Sequence, residues 1–194
     1  LGPGTNAPEL PPYSLDVQAL ELGANTKAIG LELLETESRE PLRGNEAAQI
    51  WAAAFPALAA KEIFLLDFFS HVERVREFCN THGIAYREAA PRCLVISQPS
   101  TEQLRQLLAR FEAEAFGMRA GPAAQNADPV LENELSLRGL DAYQTAYPRY
   151  AFCAVVEPED AWVTVLSENL WPSEVIRRVR PALQPFDVHI ARPQ

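Results

Sequence analysis

Residues 63–111 read IFLLDFFSHVERVREFCNTHGIAYREAAPRCLVISQPSTEQLRQLLARF, and the order of elements in this stretch decides the fold class. Ile63, Phe64, Leu65 and Leu66 form a continuous apolar run, too short for a helix and bounded by polar residues, as a central strand is. Ser70 stands three residues before Glu73, the spacing at which a hydroxyl and a carboxylate satisfy free amides at a helix start. Val72, Val75, Phe78 and Cys79 then share one helical face, and Gly83 supplies the stop. Strands are expected at Ile84–Glu88 and Cys93–Ser97, joined around Pro91. Ser100 and Gln103 open a second capped helix, whose apolar face is Leu104, Leu107, Leu108 and Phe111. Strand, helix, strand, strand, helix are five of the six elements of a ferredoxin-like split βαβ sandwich in the α+β class, and the sixth should be a strand.

On the N-terminal side the pattern is less decided. Between Val17 and Leu34 apolar residues are dense enough to fit an extended or a helical period, and Gly23 and Gly30 interrupt both. Asn45 is expected to cap an alanine-rich helix through Ile50 and Trp51 that Pro56 ends. Residues 1–14, with Pro3, Pro8, Pro11 and Pro12, lack the apolar content to offset their ordering entropy and read as a flexible tail, leaving 15–194 as one α+β domain. No Met precedes Leu1, which is expected to follow a cut or boundary in a longer chain.

On the C-terminal side the composition turns to Gly, Ala, Pro, Gln and Asn from Phe116 to Ala127, which reads as a long surface loop with a sub-domain boundary at 117–128. Asp128 and Pro129 then start a helix carrying Leu131, Leu135, Leu140, Tyr143 and Tyr147, ended by Pro148. A hairpin follows, with strands Tyr150–Val156 and Ala161–Leu166 about a turn at Glu157, Pro158, Glu159 and Asp160. A helix through Val175, Ile176 and Val179, stopped by Pro181, leads to a strand with Val188 and Ile190. Arg-Val-Arg occurs at 74–76 and again at 178–180, each at the same distance from an apolar strand. Two related α+β halves are therefore an alternative organisation.

The net charge of −9 repels phosphate backbones and anionic lipid, so it argues against nucleic acid or a membrane surface and for a basic protein partner. No apolar run approaches the roughly 18–20 residues of a membrane span, and no basic-then-apolar signal opens the chain. Cys79, Cys93 and Cys153 are odd in number and lie among apolar neighbours, as buried free thiols do in a reducing compartment, here the cytoplasm.

Signatures of chemistry are weak. Cys79 and His82 have a spacing that suits two zinc ligands, but a site needs two more, and His71, Cys93, Cys153 and His189 form no second close pair. The negative end of its helix also disfavours a Cys79 thiolate. Cys153 reads as strand core. Asp67, at the end of a strand, reads as facing solvent or the next helix start rather than as a buried acid. Arg177, Arg178 and Arg180 gather where they complement a helix C-terminus. No Gly-x-Ser-x-Gly elbow, phosphate loop or HExxH pair is present. The residues best suited to a partner are the acidic turn residues Glu157, Glu159 and Asp160 and the exposed-looking Trp171. The expectation is a non-catalytic binding protein, toxin-neutralising (immunity-like) or regulatory, with neither cofactor nor metal. The competing reading is a small enzyme or metabolite-binding domain with a cleft between two halves around Asp67, His82 or Cys93.

Overall fold

A computed structural model describes residues 9–22, 26–58, 62–66, 72–90, 93–97, 99–110, 116–120, 152–157, 161–167 and 170–192. The fold is mixed α+β. Its strands are β1 (Tyr13–Leu22), β2 (Thr26–Glu35), β3 (Glu62–Leu66), β4 (Arg87–Ala90), β5 (Cys93–Ser97), β6 (Phe116–Ala120), β7 (Phe152–Glu157), β8 (Trp162–Leu166) and β9 (Val188–Ala191). The helices are α1 (Gly44–Ala57), α2 (Val72–Thr81), α3 (Thr101–Arg110) and α4 (Pro172–Leu183), the last followed by a 3₁₀ turn at Gln184–Phe186. The strands join one sheet in the order β4-β5-β3-β6-β7-β8-β2-β1-β9. Neighbours are antiparallel except β1 and β9, which pair in parallel from Tyr13 opposite Val188 to Asp16 opposite Ala191.

The stretch from β3 to α3 follows the element order expected from its sequence. α3 opens with the expected reciprocal box, in which Gln103 N–H donates to Ser100 Oγ at 3.1 Å and Ser100 N–H donates to Gln103 Oε1 at 3.0 Å. Leu104, Leu107 and Leu108 are buried as predicted, whereas Phe111 lies outside the described residues. α2 ends at a left-handed Gly83 with φ 64°. Ile84 N–H donates to the Cys79 carbonyl at 2.8 Å and Gly83 N–H to that of Asn80 at 3.4 Å, the paired closing bonds of a Schellman end. Ile84 is then buried beside Cys79 as coil, and the strand begins only at Arg87.

Several expectations are corrected. Phe116–Ala120 is not loop but β6, hydrogen-bonded between β3 and β7 in the middle of the sheet. Despite Gly117, the segment is a strand because both its edges are paired. The ambiguous Val17–Leu34 segment is split between two ten-residue strands, β1 and β2. Tyr13 and Ser14, placed in the tail by composition, are the first residues of β1, and Pro12 accepts a bond from Thr36 N–H at 2.9 Å. Asn45 does not cap α1; Arg43 precedes the helix, and Asn45 Oδ1 instead accepts from Arg105 Nη1 at 2.7 Å, tying α1 to α3. Pro181 does not stop α4, which continues to Leu183. The shared Arg-Val-Arg is followed by unlike pairings, antiparallel for β4 against β5 and parallel for β9 against β1. The Ser70 cap, Asp67 and the helix expected over 128–148 lie outside the described residues.

One core serves both ends of the sheet. Leu15 and Val17 of β1, Ile29, Leu31 and Leu33 of β2, and Val163 and Val165 of β8 alternate onto the face that packs against Ile50, Trp51, Ala54 and Phe55 of α1 and Val175 and Val179 of α4. Trp51 and Phe55 stack with centroids 5.3 Å apart. α1 touches both α3 and α4, so the same cluster continues through Leu104, Leu107 and Leu108 to Leu94, Ile96, Val75 and Cys79. Residues of opposite parity, Ser14, Asp16, Ala28, Leu34 and Leu166, are buried as well. Burial of apolar residues such as Ala28, Leu34 and Leu166 on the second face blurs the polar alternation by which sequence announces a strand.

Candidate functional site

The registers bring one set of carboxylates to one end of the sheet. Glu157 closes β7 opposite Trp162, Trp162 pairs with Glu32, Glu35 closes β2 opposite Tyr13, and Tyr13 pairs with Val188, the residue after Asp187. From β7 to β9 this end spans four interstrand steps, roughly 19 Å. The turn residues Glu159 and Asp160 lie outside the described residues. Trp171 is exposed by 57% as expected, but it sits before α4, beyond the other end of β8. The five residues of β8, roughly 16 Å, lie between Glu157's partner Trp162 and the chain that leads to Trp171.

At the β1 side of the acidic end lies a hollow of about 590 Å³ lined by Glu9, Leu10, Pro11, Pro12, Tyr13, Glu35, Glu37 and Asp187. Four of its lining residues are carboxylates and none is basic. Glu9, Glu37 and Asp187 make no ion pair among the described residues, so their charge is open to a partner. Leu10, exposed by 72%, sits among them with Tyr13, giving an apolar and aromatic centre within a charged rim. Sequence reasoning missed this group because five of these residues fall in the proline-rich opening, which composition assigns to a tail. The acidic residues come from three segments far apart in the chain, and only the pairing of β1 with β2 and β9 assembles them.

The loop carrying Glu37 is anchored from below. Asp16, 7% exposed in β1, accepts from Ser14 Oγ at 2.7 Å and from the Arg39 guanidinium. A buried carboxylate needs such partners, and here they hold the turn after β2 in place. Arg39 itself takes a left-handed φ of 59°, its N–H bonded to the Glu35 carbonyl at 3.0 Å.

A second hollow of about 660 Å³ adjoins the first through Pro11 and Asp187. It runs between the outer side of α4 and β9, lined by Arg180, Pro181, Gln184, Asp187, Val188, His189 and Ile190. Arg177 and Arg178 do not complement the helix end as expected; both donate to Glu174, at 2.7 and 2.9 Å, and hold its carboxyl well below the usual range, at about 2. Arg180 makes no ion pair among the described residues.

The candidate chemical groups of the α2 region take structural places. Cys79 is wholly buried, and burial pushes its thiol up to about 11, which leaves on the order of one molecule in 10⁴ as thiolate at pH 7. His82 is exposed at the helix end, its ring stacked on Phe78 with centroids 4.0 Å apart and Nδ1 2.9 Å from the Phe78 carbonyl. Cys93 opens β5 and Cys153 lies in β7, opposite Arg119 and Leu166. Among the described residues no group of three or more His, Cys, Asp or Glu is arranged to hold a metal ion. No described helix is long and apolar enough to cross a membrane. Comparison of the chain with protein-family models, curated proteins and solved structures finds no match.

Proposed function

We propose that this chain is a non-catalytic binding protein whose acidic sheet end receives a basic protein partner, in a toxin-neutralising (immunity-like) or regulatory role. The observation that carries the reading is the hollow around Asp187, in which Glu9, Glu35 and Glu37 surround Leu10 and Tyr13 with no basic residue among them. Charge of one sign steers an oppositely charged partner, and an exposed apolar centre gives it area to bury. Glu157 closes β7 at the same sheet end, and the sequence that follows it is again acidic, with Glu159 and Asp160. The net charge of −9 supports the same sign of partner. The run from β3 to β6 is assigned to the ferredoxin-like split βαβ class, a reading supported by the order β4-β5-β3-β6 with antiparallel neighbours. A cytoplasmic, reducing location is supported by the odd cysteine count and by the buried free thiol of Cys79.

The test is affinity capture from the source cell with the wild-type chain and with the triple variant Glu35→Gln, Glu37→Gln, Asp187→Asn, at low and physiological salt. A basic protein retained by the wild type and lost by the variant supports the reading. Equal recovery by both, or no partner at any ionic strength, overturns it.

A further inference from the structure

β9 is the last strand of the sheet, and its pairing with β1 occupies only one of its edges. Among the described residues nothing pairs with the other, and the larger hollow runs along β9, with α4 as its second wall. A free strand edge beside a helix is a receiving geometry for an extended chain, which adds as a further strand through main-chain hydrogen bonds. Natural edges of this kind are commonly protected by lysine, proline or a bulge. β9 carries Val188, His189, Ile190 and Ala191, with neither lysine nor proline, and its register with β1 is regular.

The charges along the groove are ordered. Asp187 stands at the start of β9, where the groove meets the hollow of Glu9, Glu35 and Glu37. Arg180 lies about one turn back along α4 from Gln184 and faces the same groove as His189, and Arg192 follows the strand. Val188 and Ile190 pack partly against the core and leave part of their surface to the groove.

We infer that β9 and the groove between it and α4 accept an extended segment of the basic partner as an added strand, with a cationic side chain at the Glu35, Glu37 and Asp187 mouth, apolar residues over Val188 and Ile190, and a carboxylate near Arg180. The inference rests on the proposed binding of a basic partner and names the segment that partner presents. β9 is four residues long, roughly 13 Å, so the cation and the carboxylate stand three to four residues apart in that segment.

The probe is an acetylated, amidated peptide, Lys-Val-Thr-Val-Glu, in both chain directions, titrated into the ¹⁵N-labelled full chain. Three controls accompany it: a charge-swapped peptide, peptides N-methylated at alternate amides, and the variant Arg180→Glu, which alters an exposed helix position. Binding should shift the amides of residues 188–191 and slow their hydrogen exchange. One N-methylation phase should weaken binding about ten-fold, as loss of main-chain hydrogen bonds predicts. Charge swapping and Arg180→Glu should each weaken it several-fold, and added salt should reduce that difference. Absence of peptide binding, equal binding by both N-methylated phases and the parent, or shifts confined to residues 9–13 and 35–37 would overturn strand addition. The affinity capture reports independently on the basic partner, so strand addition can fail while that reading stands.

Discussion

The indole of Trp162 lies where a side chain at position 30 would point. A Cβ on Gly30 would stand 2.6 Å from Trp162 Cζ2 and 2.7 Å from Cη2, and the ring is held by its Nε1 donating to Thr164 Oγ1 at 2.8 Å. Gly30→Ala should therefore destabilise the fold by about 1–3 kcal/mol in urea unfolding, the usual range for overpacking. The loss should shrink in a Trp162→Leu background, where the ring is gone; additive effects would show that the two residues are not in contact. Glu174 gives a pH prediction of definite sign. Donation from Arg177 and Arg178 lowers its folded-state pKa to about 2, so its contribution to stability is present above the ordinary carboxylate range and is lost as pH falls through about 2. Glu174→Gln should lower the melting temperature slightly at pH 7 and leave it equal to wild type near pH 2; a difference that persists there would contradict the assignment. The shift is a relation within one helix turn, visible in the Glu-x-x-Arg-Arg spacing once the helix is accepted.

At the scale of elements, local rules decided what local rules govern. The closing geometry of α2 and the opening box of α3 were written in Gly83, Ser100 and Gln103, because each satisfies backbone groups within a few residues of itself. Gly83→Ala should cost about 1 kcal/mol: its φ is 64°, and nothing lies within 4 Å of a new Cβ, so conformation alone is at stake. Gly83→Asn should recover part of that loss in the same chemical denaturation, since Asn tolerates the left-handed region. β1 and β2 were hidden for the opposite reason. Leu15 and Val17 alternate with Ser14 and Asp16, and Ile29, Leu31 and Leu33 with Gly30 and Glu32, but Leu20, Ala28 and Leu34 fall out of that period and blur it, and the pairing of β1 with β2 decides it. β6 was hidden by its composition, which suits a loop until β3 and β7 flank it.

For the whole molecule, the acidic end of the sheet is a long-range product. Its carboxylates approach one another because Tyr13 pairs with both Glu35 and Val188, and the loop that carries Glu37 is pinned by Arg39 to the buried Asp16. Arg39→Ala should leave that carboxylate short of a partner and cost about 1–2 kcal/mol, less than for a fully buried pair because Arg39 is half exposed. It should also weaken partner capture by loosening the acidic rim; unchanged stability and capture would remove Arg39 from both roles. The amino-acid order alone determined the α+β class, the sequence of elements from β3 to β5, the ends of two helices and the sign of the charge, because each follows from neighbours in the chain or from a simple count. Tertiary structure alone decided that the nine described strands form one sheet, that β9 lies parallel at its edge, and that Glu9, Glu35, Glu37 and Asp187 share one hollow. Those are pairings between segments up to about 180 residues apart, and no local propensity encodes which edge meets which.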